Sequence, residues 1–383
     1  MATIITDKTG LQDIDLDLAG DYELANDIDA SGPAFTPLGT FTGTLDGKGY
    51  KITNLTININ AAGQQRGGLF TINNGTIRNL GIENCVISVA STNSDAYVGV
   101  FAADNGGTIS NCWSSGTLSS TVVSATSWAE GGGIASFNDG TITECNSEVV
   151  ITCITARHGA GSGLVAINWG TLSESYASGN VTVTSSYVGV NTTYVYAGGL
   201  VAYNGTSPFT GTITDFYAMG NATAIGGTQA YAGGCIAFND TGSTATNGYS
   251  TGIPTGDDAS GGFCALNNGT ITDCFWDTET SGTAISDGGT GKTIAQMNLI
   301  ATFQAWDIAL SSIDLNDGYP YLGWQGEESD TWLIYGLSPR RTEAVEDKIT
   351  LETIRNVEMV AMGRFRVDKE GNAVYRSRYA RNV

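Results

Sequence analysis

Basic residues are scarce: 17 Lys and Arg stand against 38 Asp and Glu in 383 residues. There is one histidine, His158, so any catalytic triad would have to use it, and a multi-His metal site is excluded. Proline numbers only 6, which excludes a Pro-rich linker or a collagen. Charged residues make up 14%, well below the usual share of about 25%, so a long helical bundle with Lys/Glu solvent faces is not expected. No run of 18 apolar residues exists, so no transmembrane helix is expected. The start, Met1-Ala2-Thr3-Ile4-Ile5-Thr6-Asp7, lacks the basic and apolar segments of a signal peptide. Either a signal peptide stands outside this sequence, or the protein is expected to leave the cell by another route, such as release inside a virion. The seven cysteines (85, 112, 145, 153, 235, 264 and 274) form no CxxC pair, so neither a zinc site nor a full disulfide framework is expected. No cofactor and no metal site are expected.

The charge is uneven. Residues 339–383 carry ten basic and seven acidic residues, which leaves residues 1–338 at −24. A body this acidic repels nucleic acid and anionic membrane, so neither is an expected partner.

What is abundant is glycine, 52 residues, with Thr, Ser, Asn and β-branched residues around it. These favour short strands joined by tight turns. Seven segments repeat: Gly68-LFTI-Asn73, Gly99-VFAA-Asp104, Gly133-IASF-Asn138, Gly163-LVAI-Asn168, Gly199-LVAY-Asn204, Gly234-CIAF-Asn239 and Gly262-FCAL-Asn267. Their glycines are 31, 34, 30, 36, 35 and 28 residues apart. Most copies continue with Gly-Thr-Ile/Leu, and the copy at Asn239 does not. Each unit is too short to bury its own core and must stack on the next. The pattern predicts an all-β fold: a parallel β-helix with about one coil per repeat of 28–36 residues. Asn73, Asn138, Asn168, Asn204, Asn239 and Asn267 would form a ladder of side-chain amides. Period-two alternation excludes a helical array, and the short variable spacing with a single Asn column disfavours a propeller. The Ile of Gly-Thr-Ile and the Cys three residues later have opposite parity, so either a bend separates them or the Cys faces out.

Phe41-Thr-Gly-Thr-Leu-Asp-Gly-Lys-Gly-Tyr-Lys-Ile-Thr-Asn-Leu55 and Tyr22-Glu-Leu-Ala-Asn-Asp-Ile-Asp29 are similar to the opening of GLUG-motif proteins, and the repeats resemble the GLUG unit. Asp287-GGTGKTIAQM-Asn298, Trp306-Asp307 and Gly318-Tyr-Pro-Tyr-Leu322 resemble the end of such an array. The resemblance covers roughly residues 10–325. It implies a right-handed β-helix of bacterial surface adhesins, also an accessory region of some secreted peptidases, with no catalytic motif of its own.

The expected organisation is N-terminal coils and cap over 1–66, repeats over 67–325, and a C-terminal segment over 326–383. In the last, Thr350 to Met362 reads as a helix and Arg364 to Tyr379 as a β-hairpin. Alternation aligns Arg364, Arg366, Arg376 and Arg378 on one hairpin face, which makes them docking candidates. The segment loosely resembles small C-terminal modules of phage tail and prophage proteins. It would cap the last coil, dock on another copy or a particle protein, or do both.

Other candidates carry less. Asp13, Asp15 and Asp17 alternate with apolar residues; they read as a strand with a solvated face, with Ca²⁺ binding as the rival. Glu144, Glu174, Asp215 and Asp273 would stack as an outward column without a basic partner. Arg157-His158 reads as a loop. Cys112 and Cys145, on adjacent coils, suit a reduced thiol ladder better than a disulfide. Trp113, Tyr176, Tyr217 and Phe275 form either an outer sugar-stacking column or a core ladder. No catalytic residues are assigned. The expected function is a non-catalytic attachment protein on a virion, phage-like particle or cell surface, with surface glycans as candidate ligands. The alternative is a carbohydrate-active β-helix enzyme, a polysaccharide lyase or hydrolase. Ice binding is a third reading from the abundant Thr, but repeat lengths from 28 to 36 argue against a regular ice face.

Overall fold

The computed structural model describes residues 2–303, 306, 308–309, 318–326, 363–367 and 373–377. It divides into two compact units, Met1–Trp306 and Asp307–Val383.

The first unit is a parallel β-helix with one coil per repeat. In one coil the chain runs through Ala96–Gly99, Ala102–Asn105 and Thr108–Val122. The next coil lays Trp128–Gly132, Ala135–Asn138, Thr141–Thr143 and Asn146–Thr155 on them in parallel register. Three faces result. The short face holds Ala96–Gly99 and its equivalents, the Asn face Ala102–Asn105, and the long face Thr108–Val122. Period-two alternation sends Val98, Ala102, Ile109 and Leu118 into one core that runs the length of the unit.

A bend resolves the parity conflict. The residue between each Ile/Leu and the position three later has positive φ: Asn79 52°, Asn111 50°, Glu144 53°, Glu174 48°, Asp215 52°, Asn247 60° and Asp273 49°. One left-handed residue turns the strand, so Ile109 and Cys112 both point inward and are buried. Asn and Asp tolerate this conformation best. They also bond up the column: Asn111 Nδ2 donates to Asn79 Oδ1 at 2.9 Å and Asn247 Nδ2 to Asp215 Oδ1 at 2.9 Å.

The glycine of Gly-Thr-Ile is fixed by the approach of neighbouring coils. A Cβ on Gly140 would lie 2.1 Å from the Gly107 carbonyl oxygen, and one on Gly170 2.2 Å from that of Gly140. One coil departs from this: Ser243 stands in the column between Gly211 and Gly269, and its Oγ accepts the Gly211 amide at 3.1 Å.

At the N-terminus, Asp13, Asp15 and Asp17 do not form the expected strand. Lys8–Gln12 is a short helix, capped by Asp7 Oδ1 on the Gly10 amide at 2.9 Å, and Asp13–Leu16 is a 3₁₀ turn. The cap starts the helix, and Leu11 and Ile14, three residues apart, then bury together. The turn sits over the edge of the first coil, where Asp15 Oδ1 accepts the Gly39 amide at 2.9 Å.

Towards its other end, the first unit holds Thr290–Lys292 paired with Phe275–Asp277, then the helix Ile294–Met297 with a Thr293/Gln296 capping box. In the second unit, Ile308–Ala309 pairs antiparallel with Tyr321–Leu322. Gly363–Val367 and Ala373–Ser377 form an antiparallel hairpin with Arg364 opposite Arg376. The expected helix at 350–362, and Arg378, lie outside the described residues.

Candidate functional site

The Asn column is continuous. Nδ2 of Asn73 donates to Oδ1 of Asn105 at 2.7 Å, and the pattern repeats through Asn138, Asn168, Asn204, Asn239 and Asn267 at 2.7–2.9 Å. Its second member is Asn105, not Asp104 as the repeat alignment has it. Asn105 pairs in register with Asn73 and Asn138. Val100 takes the place of the repeat glycine in that coil, and Gly99 aligns with Gly132.

All seven cysteines are free and buried. Burial pushes the Cys112 thiol well up, and its neighbour Cys145 adds to this. Glu144, Glu174, Asp215 and Asp273 occupy the left-handed bends described above. The aromatic column lies outside the main core but is largely covered: Tyr176 stacks on Tyr217 at 4.6 Å and Tyr217 on Tyr249 at 4.9 Å, and Tyr217 and Tyr249 are buried. Its far end is covered: Phe303 meets Tyr249 at 5.8 Å, and Trp306 stacks on Phe275 at 5.6 Å.

The groups that repeat-counting missed lie on the outer side of the short and Asn faces. Arg66, Tyr97, Glu130, Ala160, Tyr196 and Tyr231 are successive register partners on the short face. Asp104, Phe137, Ile167, Tyr203 and Phe238 succeed one another on the Asn face. Tyr196 and Phe238 anchor a hydrophobic cluster separate from the core, with Trp128, Tyr194, Tyr203 and Tyr231 half-buried around it. Ring follows ring: Trp128 to His158 at 4.6 Å, His158 to Tyr194 at 5.6 Å, Tyr194 to Tyr196 at 5.7 Å, Tyr196 to Tyr203 at 5.4 Å, and Tyr203 to Phe238 at 4.8 Å.

His158 is therefore not in a loop. It opens the strand His158–Ser162, in register with Trp128, and its Nδ1 accepts the Tyr194 amide at 3.1 Å. Burial, and then Arg157, hold its pKa below the usual value, so the ring is a neutral stacking element.

A charged corner ends the strip. Arg66 Nε lies 2.7 Å from Asp104 Oδ2, and its guanidinium sits 5.4 Å from the Tyr97 ring centre. Beside them Glu130 is 5% exposed. Burial first, then Asp95 and Asp104, push its carboxyl up to about 8, and Ser136 Oγ donates to Oε2 at 3.4 Å. Burial also pushes the Asp104 carboxyl up, with Arg66 opposing the shift, so two carboxyls held above their usual range share this corner. Arg66 precedes the first repeat glycine, and the repeat alignment places Asp104 at the Asn position, so sequence spacing hides the pair. Among the described residues, no cluster of three His, Cys, Asp or Glu is placed to hold a metal ion, and no helix is long and apolar enough to cross a membrane.

No protein-family profile matches the chain. A stretch of 113 residues is 37% identical to halomucin of Haloquadratum walsbyi; it covers 25% of this chain and 1% of halomucin. A solved structure from Bacteroides ovatus, provisionally named an immunoglobulin A1 protease, is similar with TM-score 0.50 and 18% identity, over 84% of this chain and 92% of that one. A second, named IgA1 protease, gives TM-score 0.53 and 15% identity over 81% of this chain and 25% of that one. These likenesses support the β-helix. They also overturn the expectation that the chain is not an enzyme, because the fold occurs in two proteins named as proteases. The physical reason is that a repeat pattern reports on the scaffold, whereas catalysis needs only a few side chains on one face. At such identities no catalytic residue carries over.

Proposed function

We propose that the chain is an attachment β-helix on the surface of a cell or phage-like particle, and that it binds extended glycans along the aromatic strip. The observation that carries this reading is the run of rings from Trp128 to Phe238 outside the core. Aromatic rings grouped on a surface, with polar groups at their margin, suit a ligand with apolar faces and hydroxyl edges. Asp95, Asp104 and Asp240 supply acceptors there. The halomucin likeness supports an extracellular setting, and the resemblance of the repeats to GLUG-motif adhesins belongs to the same proposal. Docking through Arg364, Arg366, Arg376 and Arg378, to another copy or to a particle protein, is part of it. Glycan-array binding tests the reading: Tyr203→Ala and Tyr231→Ala should abolish capture without loss of strand signal in circular dichroism. Binding unchanged in both variants, or no glycan bound by the parent, refutes it.

One observation favours carbohydrate cleavage at the same place. Burial raises the pKa of both Glu130 and Asp104, and only Asp104 has a cation, Arg66, opposing that shift through an ion pair; a buried carboxyl beside an Arg-paired one is the setting of a general acid. Release of new reducing ends that Glu130→Gln abolishes would establish it. Turnover that survives this change would remove Glu130 from the reaction.

A further inference from the structure

The outward side of the second half of the long face differs from the rest of the molecule. Ser88, Ser119, Thr152, Thr182, Thr223 and Thr255 are register partners across six coils. Their inward neighbours Ile87, Leu118, Ile151, Val183 and Ala224 lie in the core, so the hydroxyl residues face solvent. The hydroxyls form a column, and Ser119 Oγ donates to Ser88 Oγ at 3.1 Å. Aliphatic side chains flank it: Val86 is 51% exposed, Ile154 48% and Ile225 42%. In register with Val86 to Ala90, none of these outward positions from Thr56 to Thr255 is charged or aromatic, although the whole chain carries −21; Glu148, exposed on the same strand two residues before Val150, borders them.

The spread of repeat lengths does not disturb this face. The extra residues leave the coil at the loop over 186–193, where Val188 and Val190 are fully exposed, and at the turn joining Thr206 and Phe209. The strands between keep register without a shift. Coil regularity and repeat length are separate quantities here, so the length argument against a regular face fails.

We propose that this face binds the lattice of ice. The occupant follows from what the face offers: rows of hydroxyls alternating with methyl-bearing side chains, repeated every ~4.8 Å along the coil axis. Such rows hold water in a fixed pattern, and the one charge beside them, Glu148, lies at their margin. A charged macromolecule finds no partner groups. A sugar polymer finds no ring to stack on. A second copy finds too little area: six coils span roughly 24 Å by about 13 Å, on the order of 300–400 Å², against about 800 Å² per partner in a stable interface. The proposal is independent of the glycan reading, because it uses the opposite side of the coil.

The test is ice growth in the presence of the purified full chain, followed by nanolitre osmometry and crystal imaging. The expected result is a gap between melting and growth temperatures, with faceted crystals. Thr152→Lys/Thr182→Lys should abolish the gap while circular dichroism stays unchanged, since both side chains point to solvent. Thr152→Ser/Thr182→Ser, which keeps the hydroxyls, should retain part of it. Round crystals growing as in buffer with the parent chain overturn the proposal. So does a gap undiminished in the Lys variant. Sedimentation that shows a dimer broken by the Lys pair would instead assign the face to self-association and also overturn it.

Discussion

Asn168 sits in mid-column with both amide groups engaged and no exposure. It accepts from Asn138 at 2.8 Å and donates to Asn204 at 2.9 Å. Asn168→Ala removes both bonds and a longer one from Nδ2 to the Gly170 carbonyl; it leaves the Asn204 side-chain carbonyl facing a dry gap, while the Asn138 amide keeps its bonds to the Gly140 and Thr171 carbonyls at 3.5 and 3.4 Å. An orphaned buried group costs about 1–3 kcal/mol and each lost bond about 1 kcal/mol more, so the change should destabilise by about 2–4 kcal/mol. Asn267 ends the column and is only half-buried; besides Asn239, its carbonyl accepts the Gly269 amide at 3.2 Å. Water can replace those bonds, so Asn267→Ala should cost about 1 kcal/mol. Urea unfolding followed by Trp fluorescence and far-ultraviolet circular dichroism measures both. A repeat array need not unfold in two states, so coincidence of the probes is checked before free energies are compared. Equal small losses at the two positions would refute the reasoning: the ladder would then be an alignment of side chains with no net stabilising role.

Glu130 binds its proton far more tightly when folded, up to about 8, than in the unfolded chain, near 4.3. Its contribution is therefore present below pH 4 and falls as pH rises to about 8, by up to about 1.4 kcal/mol per pH unit. Glu130→Gln should flatten stability across pH 5–8, and parallel curves for parent and variant would contradict the assignment. The buried thiols should resist alkylation in the native chain at pH 8 and all seven should react in urea; rapid native labelling would refute their burial. Gly140→Ala, whose Cβ would meet the Gly107 carbonyl at 2.1 Å, should fold poorly or lose several degrees in thermal melting. A normal melting temperature would show that the coils separate more easily there than the packing implies.

The coil architecture is legible because its signal recurs: each Asn and each Gly-Thr-Ile restates the same corner. Single positions are less legible. Asp104 and Asn105 stand side by side, and only cross-coil pairing shows which one belongs to the column. The left-handed bend at Asn111 is invisible to parity counting, yet it turns Cys112 inward. Asp13, Asp15 and Asp17 alternate like a strand, but the Asp7 cap upstream sets a helix going. The outer strip was hidden for another reason. Its rings come from different places in successive repeats, as with Trp128, Tyr196 and Phe238, and only the register gathers them.

The repeat-length differences bear on how such a molecule changes over generations. Coils meet through the same amide and the same bend, and through the same glycine gap except at Ser243, while surplus residues leave through loops. Duplication or loss of one whole repeat would therefore splice like onto like. The rod would lengthen or shorten by a single graduation of ~4.8 Å. Reach then becomes a quantity counted in whole steps, and a changed loop alters what one step displays without altering the length of the rod.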